Sequence, residues 1–348
     1  MRHGGIGIQD PSKMAQWDYE ASQRITAEMI EKILQQEIDF VPSNELLRDR
    51  VKEIENLKEE MHVETLRKIV ADPETPQYAK KNLELAQEKG SGAWLTTVPV
   101  QAMGYALNKD EFRAGICLRY GWRIKNMPQH CACGTKNDID HALCCKLGGN
   151  TIFRHNRVRD TIAELLKEVT TDVITEPPLA PLESSNYRQD ATRGNKSDAA
   201  RLDIACMGIY SPLERTYMDV RIFHAGAPSY RNKTLTQLYQ EHERSKKSEY
   251  NARIVNVEKG SFVPLIFSTA GGLGQEARKF TKRLAGLISV KTGEKYSHVK
   301  SHITTRIRIA LLKSVLVSVR GSRTKNKEHT LPPGQIPFGL VASDEFIG

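Results

Sequence analysis

Apolar residues in the first third of the chain recur at the spacing of an α-helix. From residue 44 onward they stand three or four positions apart, at Leu47, Val51, Ile54, Leu57 and Met61. Ser43 can cap this helix, and Pro73 and Pro76 end the region. We therefore predict a polar helical arm over residues 1–90 that packs on another helix or on a partner. The alternative is a solvated surface helix that carries no chemistry.

The region from residue 129 to residue 323 alternates between two periodicities. Helical spacing marks residues 157–169, 235–257, 275–289 and 303–319. Strand-like runs occupy residues 172–175, 201–206, 217–223 and 262–268. Alternation of this kind predicts an α/β (α+β) fold in which a mixed sheet is flanked by helices.

The same pattern predicts how the rest of the chain is divided. A small linker and helical region covers residues 91–128, and a cysteine-containing segment follows at 129–150. The α/β domain then occupies residues 151–323 and contains a polar loop at 182–197. The tail, residues 324–348, shows little periodicity, so we expect it to be disordered.

Charge is distributed unevenly along the 348 residues, whose net charge is +9. Residues 18–89 contain 17 acidic and 11 basic side chains (−6), whereas residues 276–325 contain 13 basic and 2 acidic ones (+11). This asymmetry favours a polyanionic partner, most simply nucleic acid, over a merely solvated basic surface. No run approaches the roughly 20 apolar residues of a membrane span, and no secretory signal is expected at the N-terminus. Six cysteines are too few for a disulfide scaffold.

Four of the six cysteines lie close together in the segment 129–150. Cys131, Cys133, His141 and Cys145 have the spacing C-x-C-x7-H-x3-C. A Cys-x-Cys turn can present two thiolates to one ion, and a histidine and a cysteine one helical turn apart can face the same ion. Four nitrogen and sulfur ligands suit tetrahedral Zn²⁺ in a structural site. Cys144 could replace Cys145, and the alternative to zinc is a set of reduced thiols that bind nothing.

Two aspartates lie on neighbouring strand candidates. Asp203 belongs to the run at 201–206 and Asp219 to the run at 217–223, and the turn between the runs favours a hairpin. If the strands pair, the two carboxylates can converge on a divalent ion such as Mg²⁺. Such an ion can polarise a phosphate and generate hydroxide. Arg221 follows Asp219 on the same strand face and could contact the scissile phosphate. The alternative is a pair of strand-end carboxylates in water.

The long helix predicted at 235–257 adds cationic candidates. Lys246 and Lys247 each lie about one turn before Tyr250. A lysine there could orient the attacking water or stabilise developing charge. The alternative for Lys247 is a surface ion pair with Glu243. Upstream, Arg154, His155 and Asn156 lie near the start of a helix, where anions such as a DNA phosphate are favoured, although Asn156 could be simply a helix cap.

Taken in order, these residues resemble a known family. The pieces are Cys131-x-Cys133, Asp140-His141, Cys145, Arg154-His155-Asn156, Arg201-Leu202-Asp203, Asp219-Val220-Arg221 and Lys247-x2-Tyr250. They resemble the C-terminal region of non-LTR retrotransposon polyproteins, where a zinc knuckle and a restriction-enzyme-like endonuclease follow a reverse transcriptase. Gly4-Gly5-Ile6-Gly7-Ile8 also resembles a stretch near the end of the polymerase in such proteins. The resemblance covers residues 90–323 and, loosely, the arm.

The resemblance implies a PD-(D/E)xK nuclease core. By match, Asp203 takes the first acidic position and Asp219 the second, and both would hold Mg²⁺. Lys246 or Lys247, with Tyr250, matches the displaced lysine and the tyrosine of the following helix. We assign Lys247 and Tyr250 to catalysis together with Arg221, and Lys246 to DNA contact together with Arg154, His155 and Asn156. Arg221 stands where many such nucleases carry lysine.

The implied reaction is nicking of chromosomal DNA, whose new 3′ end primes reverse transcription. The expected cofactors are structural Zn²⁺ and catalytic Mg²⁺. The expected partners are DNA, with RNA and a reverse transcriptase of the same element as further candidates, and the expected location is the nucleus. No Asp-Asp polymerase signature occurs in the chain, so we expect that it is not a reverse transcriptase by itself but a detached C-terminal portion. The alternative is a catalytically inactive nucleic-acid-binding module.

Overall fold

The structure is a computed structural model that describes residues 3–6, 8, 10–37, 41, 44–182, 195, 197, 199–230 and 232–320. The predicted Ser43 cap, most of the predicted loop and the tail lie outside these residues. The chain divides into two compact units. Met1–Leu95 and Arg119–Gly121 form the first, and Thr96–Leu118 and Trp122–Gly348 form the second.

The first unit is helical. Its helices are α1 (Pro11–Leu34), α2 (Asn44–Ala71) and α3 (Gln77–Gln87), and the short α4 (Ala93–Thr96) begins at its end. The helix predicted from residue 44 is thus confirmed. Helix α1 lies within the predicted helical arm, and its start was not specified; Asp10 accepts a hydrogen bond from Ser12 N and Pro11 occupies the first helical turn, which is a common helix start.

The second unit contains the sheet and the remaining long helices. They are α5 (Lys109–Tyr120, of which the last two residues belong to the first unit), α6 (Ile139–Cys144), α7 (Asn150–Lys167), α8 (Leu235–Arg253), α9 (Gln275–Thr292) and α10 (Tyr296–Arg320). A π-helical turn, Ile254–Glu258, continues α8. The four helices predicted between residues 157 and 319 are confirmed, with α7 and α10 each beginning seven residues before the predicted start.

Four strands form one mixed sheet in the order β1 (Val173–Thr175), β2 (Ile204–Met207), β3 (Arg215–Phe223) and β4 (Ser261–Ser268). Strands β1, β2 and β3 pair antiparallel, whereas β3 and β4 pair parallel because α8 crosses between them. The fold class predicted from the sequence is confirmed. Strand β2 is shorter than predicted: Arg201 makes only an isolated bridge with Pro178, and Asp203 lies immediately before the strand.

The two faces of the sheet are buried in different ways. Met218 and Val220 of β3 face the main core, which is formed with α7, α9 and α10. On the opposite face Tyr217 packs with Tyr250 of α8 and Phe262 of β4 in a smaller cluster. Because side chains alternate along a strand, Asp219 shares the face of Tyr217 and lies towards α8. Among the described residues, no helix is both long and apolar enough to cross a membrane.

Candidate functional site

Strand pairing brings the two predicted acidic residues together. Ile204 is opposite Met218 in the β2–β3 ladder, and Asp203 N–H donates to Met218 O at 3.1 Å. Asp203 Oδ2 also accepts a hydrogen bond from Val220 N–H at 2.6 Å. Asp203 is therefore bonded to the residues on both sides of Asp219, and the charge of Asp203 raises the pKa of Asp219.

His155 of α7 contacts the first of these carboxylates. Its Nε2 lies 3.1 Å from Asp203 Oδ2, and its Nδ1 lies 3.2 Å from Asn156 Oδ1. Both partners are oxygen acceptors, so this geometry favours a proton on each ring nitrogen. Burial opposes the charged imidazolium, but the hydrogen bond and charge of Asp203 outweigh it, so the pKa of His155 is raised. The geometry therefore favours a charged imidazolium beside Asp203.

Asp219 is buried, with 6% of its surface exposed. Burial, the largest cause, raises its pKa from 3.8 to about 6, although Lys246 acts in the opposite direction. Lys246 Nζ donates to Oδ1 at 3.1 Å and lies equally far from Oδ2. Within the described structure Oδ2 nevertheless has no partner with hydrogen-bonding geometry. A buried carboxylate oxygen that lacks a hydrogen-bond partner and lies next to a second carboxylate fits a cation site.

The side chain of Lys246 is held from three sides. Besides Asp219, its ammonium lies 3.6 Å from Glu249 and 5.3 Å from the centre of the Tyr250 ring. The Tyr250 hydroxyl accepts a hydrogen bond from Asn195 Nδ2 at 3.4 Å. Burial is the main reason why the pKa of Tyr250 is raised to about 12, so its hydroxyl is neutral. Lys246 and Tyr250 are four residues apart on the face of α8 that is directed towards the sheet.

Arg221 lies on the same face of β3 as Asp219, two residues further along. It is half-buried and forms no ion pair with another described residue. Next to it, His242 of α8 is buried between the rings of Phe223 and Tyr230, at centroid distances of 4.9 and 5.6 Å. Burial and then the charge of Arg221 lower the pKa of His242 to about 4, so this histidine is neutral near pH 7. Arg221 is thus a cation available to an anionic ligand.

Two predicted site residues lie elsewhere. The ammonium of Lys247 contacts Glu276 of α9 at 3.0 Å, so this lysine forms an ion pair away from Asp219 and with a different partner from the Glu243 considered above. Arg154 is 4% exposed and donates to Leu143 O at 3.1 Å, and burial lowers its pKa to about 10. The expected contact of Arg154 with a DNA phosphate does not fit this burial.

The predicted metal ligands form a compact cluster. One ligand atom from each of Cys131, Cys133, His141 and Cys145 lies within 4.8 Å of all the others. The Cys131 and Cys145 sulfurs are 3.9 Å apart, and Cys133 Sγ is 3.3 Å from His141 Nε2. Tetrahedral zinc with bonds of about 2.3 Å to sulfur places neighbouring ligands about 3.8 Å apart. The cluster can therefore hold a metal ion such as zinc, with Cys145 in the ligand set.

Local structure explains how this cluster forms. Gly134, with φ of 89°, closes a turn in which its N–H donates to Cys131 O at 2.8 Å, and this turn orients both cysteines of the Cys-x-Cys pair. Asp138 caps α6 by accepting a hydrogen bond from His141 N at 2.7 Å. Cys145 follows the last residue of α6, one turn after His141. Cys144 is exposed and does not belong to the cluster.

Sequence reasoning named Lys246 and His155 as site residues but did not predict the contacts that they make. It placed Lys246 with the DNA contacts and not beside Asp219, and it did not foresee the hydrogen bond between His155 and Asp203. The buried positions of α8 include Leu238, His242 and Tyr250. Lys246 completes this series at intervals of four residues. The spacing therefore indicates that Lys246, and not Lys247, faces the sheet.

Comparison with known proteins does not assign the chain to a protein family. By sequence, no protein family matches it, and no curated protein is significantly similar to it. The function proposed below therefore depends on the geometry of the site and on the motif resemblance described above.

Proposed function

We propose that this chain is a divalent-metal-dependent DNA endonuclease, the restriction-enzyme-like nuclease portion of a non-LTR retrotransposon protein. The observation that carries the proposal is the meeting of Asp203, Asp219 and Lys246 across β2, β3 and α8. Two carboxylates can hold a metal ion that assists phosphodiester hydrolysis, and an ammonium beside them can stabilise the charge that develops.

Asp203 and Asp219 would hold the metal ion, which we take to be Mg²⁺ because both ligands are hard oxygen donors. When bound, Mg²⁺ supplies a Lewis acid for the phosphate and lowers the pKa of a bound water. The carboxylate of Asp203 is oriented for this role, because Val220 N–H and His155 both bind its Oδ2. The described residues form no hydrogen bond to its Oδ1, so that oxygen is the one left for a cation.

The cationic side chains would act on the DNA. Hydrolysis joins a water oxygen to phosphorus and breaks the bond to the 3′ oxygen, which leaves a free 3′-hydroxyl. Lys246 would stabilise the negative charge that develops on the phosphate and orient the attacking water. Arg221 would contact the scissile phosphate or its neighbour, because it shares the face of Asp219 and makes no ion pair among the described residues. The DNA substrate and the retroelement origin imply work in the nucleus, with a reverse transcriptase as partner.

A plasmid nicking assay tests this function. Supercoiled DNA incubated with the full chain and Mg²⁺ should become open circular, and EDTA should prevent this. Asp203→Asn and Asp219→Asn should each reduce the nicking rate by at least about a hundredfold, whereas the matched surface variant Asp172→Asn should retain it. Salt-sensitive DNA binding without cleavage by the wild type would support the inactive binding module instead.

A further inference from the structure

Arg154 connects the cysteine cluster to the helix that carries His155. It belongs to the first turns of α7 and directly precedes His155. Its guanidinium, 4% exposed, donates to the carbonyl of Leu143 at 3.1 Å, and Leu143 lies between the ligands His141 and Cys145. The orientation of Arg154 therefore depends on where α6 holds that carbonyl.

A second contact joins α6 to the end of β3, the strand that carries Asp219. His224 follows the last residue of β3, and its Nε2 lies 2.8 Å from Asp140 Oδ1. The other ring nitrogen lies 2.8 Å from Thr269 Oγ1, and Thr269 N–H donates to Phe223 O at 2.9 Å. Because Asp140 directly precedes the ligand His141, the cluster is attached to both elements that position the two aspartates, α7 through Arg154 and β3 through His224.

The charge of Arg154 gives a second reason to link it to the cysteine cluster. Its Nε and Nη1 have no hydrogen-bond partner in the described part of the chain, and no described carboxylate forms an ion pair with it. A buried cation without compensation is unfavourable. Three thiolates and a neutral imidazole around Zn²⁺ carry a net charge of −1. Filling the cluster would therefore place the missing negative charge on the segment that Arg154 already contacts.

We propose that metal binding at the cysteine cluster and divalent-cation binding at Asp203 and Asp219 are thermodynamically coupled, with Arg154 as the positioning residue. This inference rests on the metal site of the proposed nuclease. Helix α6 has six residues, too few to be stable by itself, so its position depends on the buried Ala142 and Leu143 and on the metal that His141 and Cys145 would hold. Loss of the metal would remove one restraint on the Leu143 carbonyl, and through Arg154 it would loosen the contact of His155 with Asp203.

Manganese titration of the full chain by calorimetry tests the coupling, because Mn²⁺ prefers oxygen ligands and the Asp203→Asn variant identifies any heat that comes from the empty cysteine cluster. Removing zinc from the wild type should weaken Mn²⁺ binding about tenfold, and Mn²⁺ should tighten zinc binding by the same factor in a chelator competition. Arg154→Met, loaded with zinc, should bind Mn²⁺ as weakly as the zinc-free wild type and should respond little to zinc removal. Arg154→Lys, which keeps the charge, should recover part of the affinity.

Arg306→Met is the matched control, because Arg306 binds α7 through Glu164 and Glu168, away from the cluster. It should keep the full zinc dependence, and circular dichroism should show that all variants keep their helices. If wild-type Mn²⁺ affinity is the same within twofold with and without zinc, the coupling is refuted while the nuclease site stands. If the wild type binds no Mn²⁺ at the aspartates in either state, the proposed function fails as well.

Discussion

Replacing Asp219 by asparagine should make the metal-free protein more stable, and increasingly so as the pH rises. The native pKa of Asp219 is raised from 3.8 to about 6, mainly by burial, so folding favours the protonated carboxyl. The contribution of Asp219 to the free energy of unfolding is fully present below about pH 4, where the carboxyl is protonated in both states. It is lost as the pH rises through the native pKa of about 6. Asparagine has the shape of the protonated acid and does not titrate, so the variant does not lose this contribution to stability as the pH rises.

The size of the effect follows from the pKa change. A difference of about two pKa units corresponds to about 3 kcal/mol in full, at about 1.4 kcal/mol for each unit. Integrated over the measurable range, about 2 kcal/mol of this falls between pH 4.5 and pH 7.5. The stability of Asp219→Asn relative to the wild type should therefore increase by about 2 kcal/mol between these two pH values.

Urea unfolding in EDTA, followed by circular dichroism, measures this difference at each pH. Asp172→Asn is the matched control, because Asp172 is 38% exposed and pairs with Arg215 at 2.7 Å. It should not gain stability over the wild type as the pH rises. Saturating Mg²⁺ should stabilise the wild type at pH 7.5 and leave Asp219→Asn unchanged. If the difference between Asp219→Asn and the wild type stays constant within about 0.5 kcal/mol over this pH range, the account of Asp219 as a desolvated carboxylate is refuted.

Three further predictions concern other parts of the site. Lys246→Met should lower the single-turnover nicking rate by about a hundredfold, while Lys247→Met, which removes only a surface ion pair, should change it less than about threefold; equal effects would contradict the assignment. The purified chain should contain one zinc ion by atomic emission, which Cys133→Ser should lose and Cys144→Ser should keep, and the reverse pattern would place Cys144 in the cluster. Arg253→Met should lower the free energy of unfolding by about 3 kcal/mol in urea titrations, because the buried guanidinium donates to three backbone carbonyls; a loss below about 1 kcal/mol would show that water replaces it.

Much of the second unit could be predicted because its signals are local. The strand runs around Asp203 and Asp219 are close in sequence and the connection between them contains turn residues, and both features favour hairpin pairing. The C-x-C-x7-H-x3-C spacing likewise predicted the metal cluster. In both cases the residues that meet are within about 20 positions of one another, so the chain between them allows few arrangements.

The remainder depends on tertiary contacts that a single sequence does not display. Lys246 and Lys247 differ by about 100° around α8, and only the packing of α8 on the sheet decides which of them faces Asp219. The burial of Arg154 beside Leu143 and the contact of His155 with Asp203, 48 positions away, both require the relative placement of α7, α6 and the sheet. The position of Arg154 near a helix start suggested phosphate binding, but packing buries its guanidinium against the Leu143 carbonyl.

The most direct test of the central claim is the rate of first-strand cleavage of supercoiled DNA at saturating protein and Mg²⁺, compared between the wild type and Asp203→Asn. If the two carboxylates act on one metal ion, the wild type should show measurable, EDTA-sensitive cleavage. The rate of the variant should be at least about a hundredfold lower. Cleavage by Asp203→Asn at the wild-type rate, with the same dependence on Mg²⁺, would contradict the account.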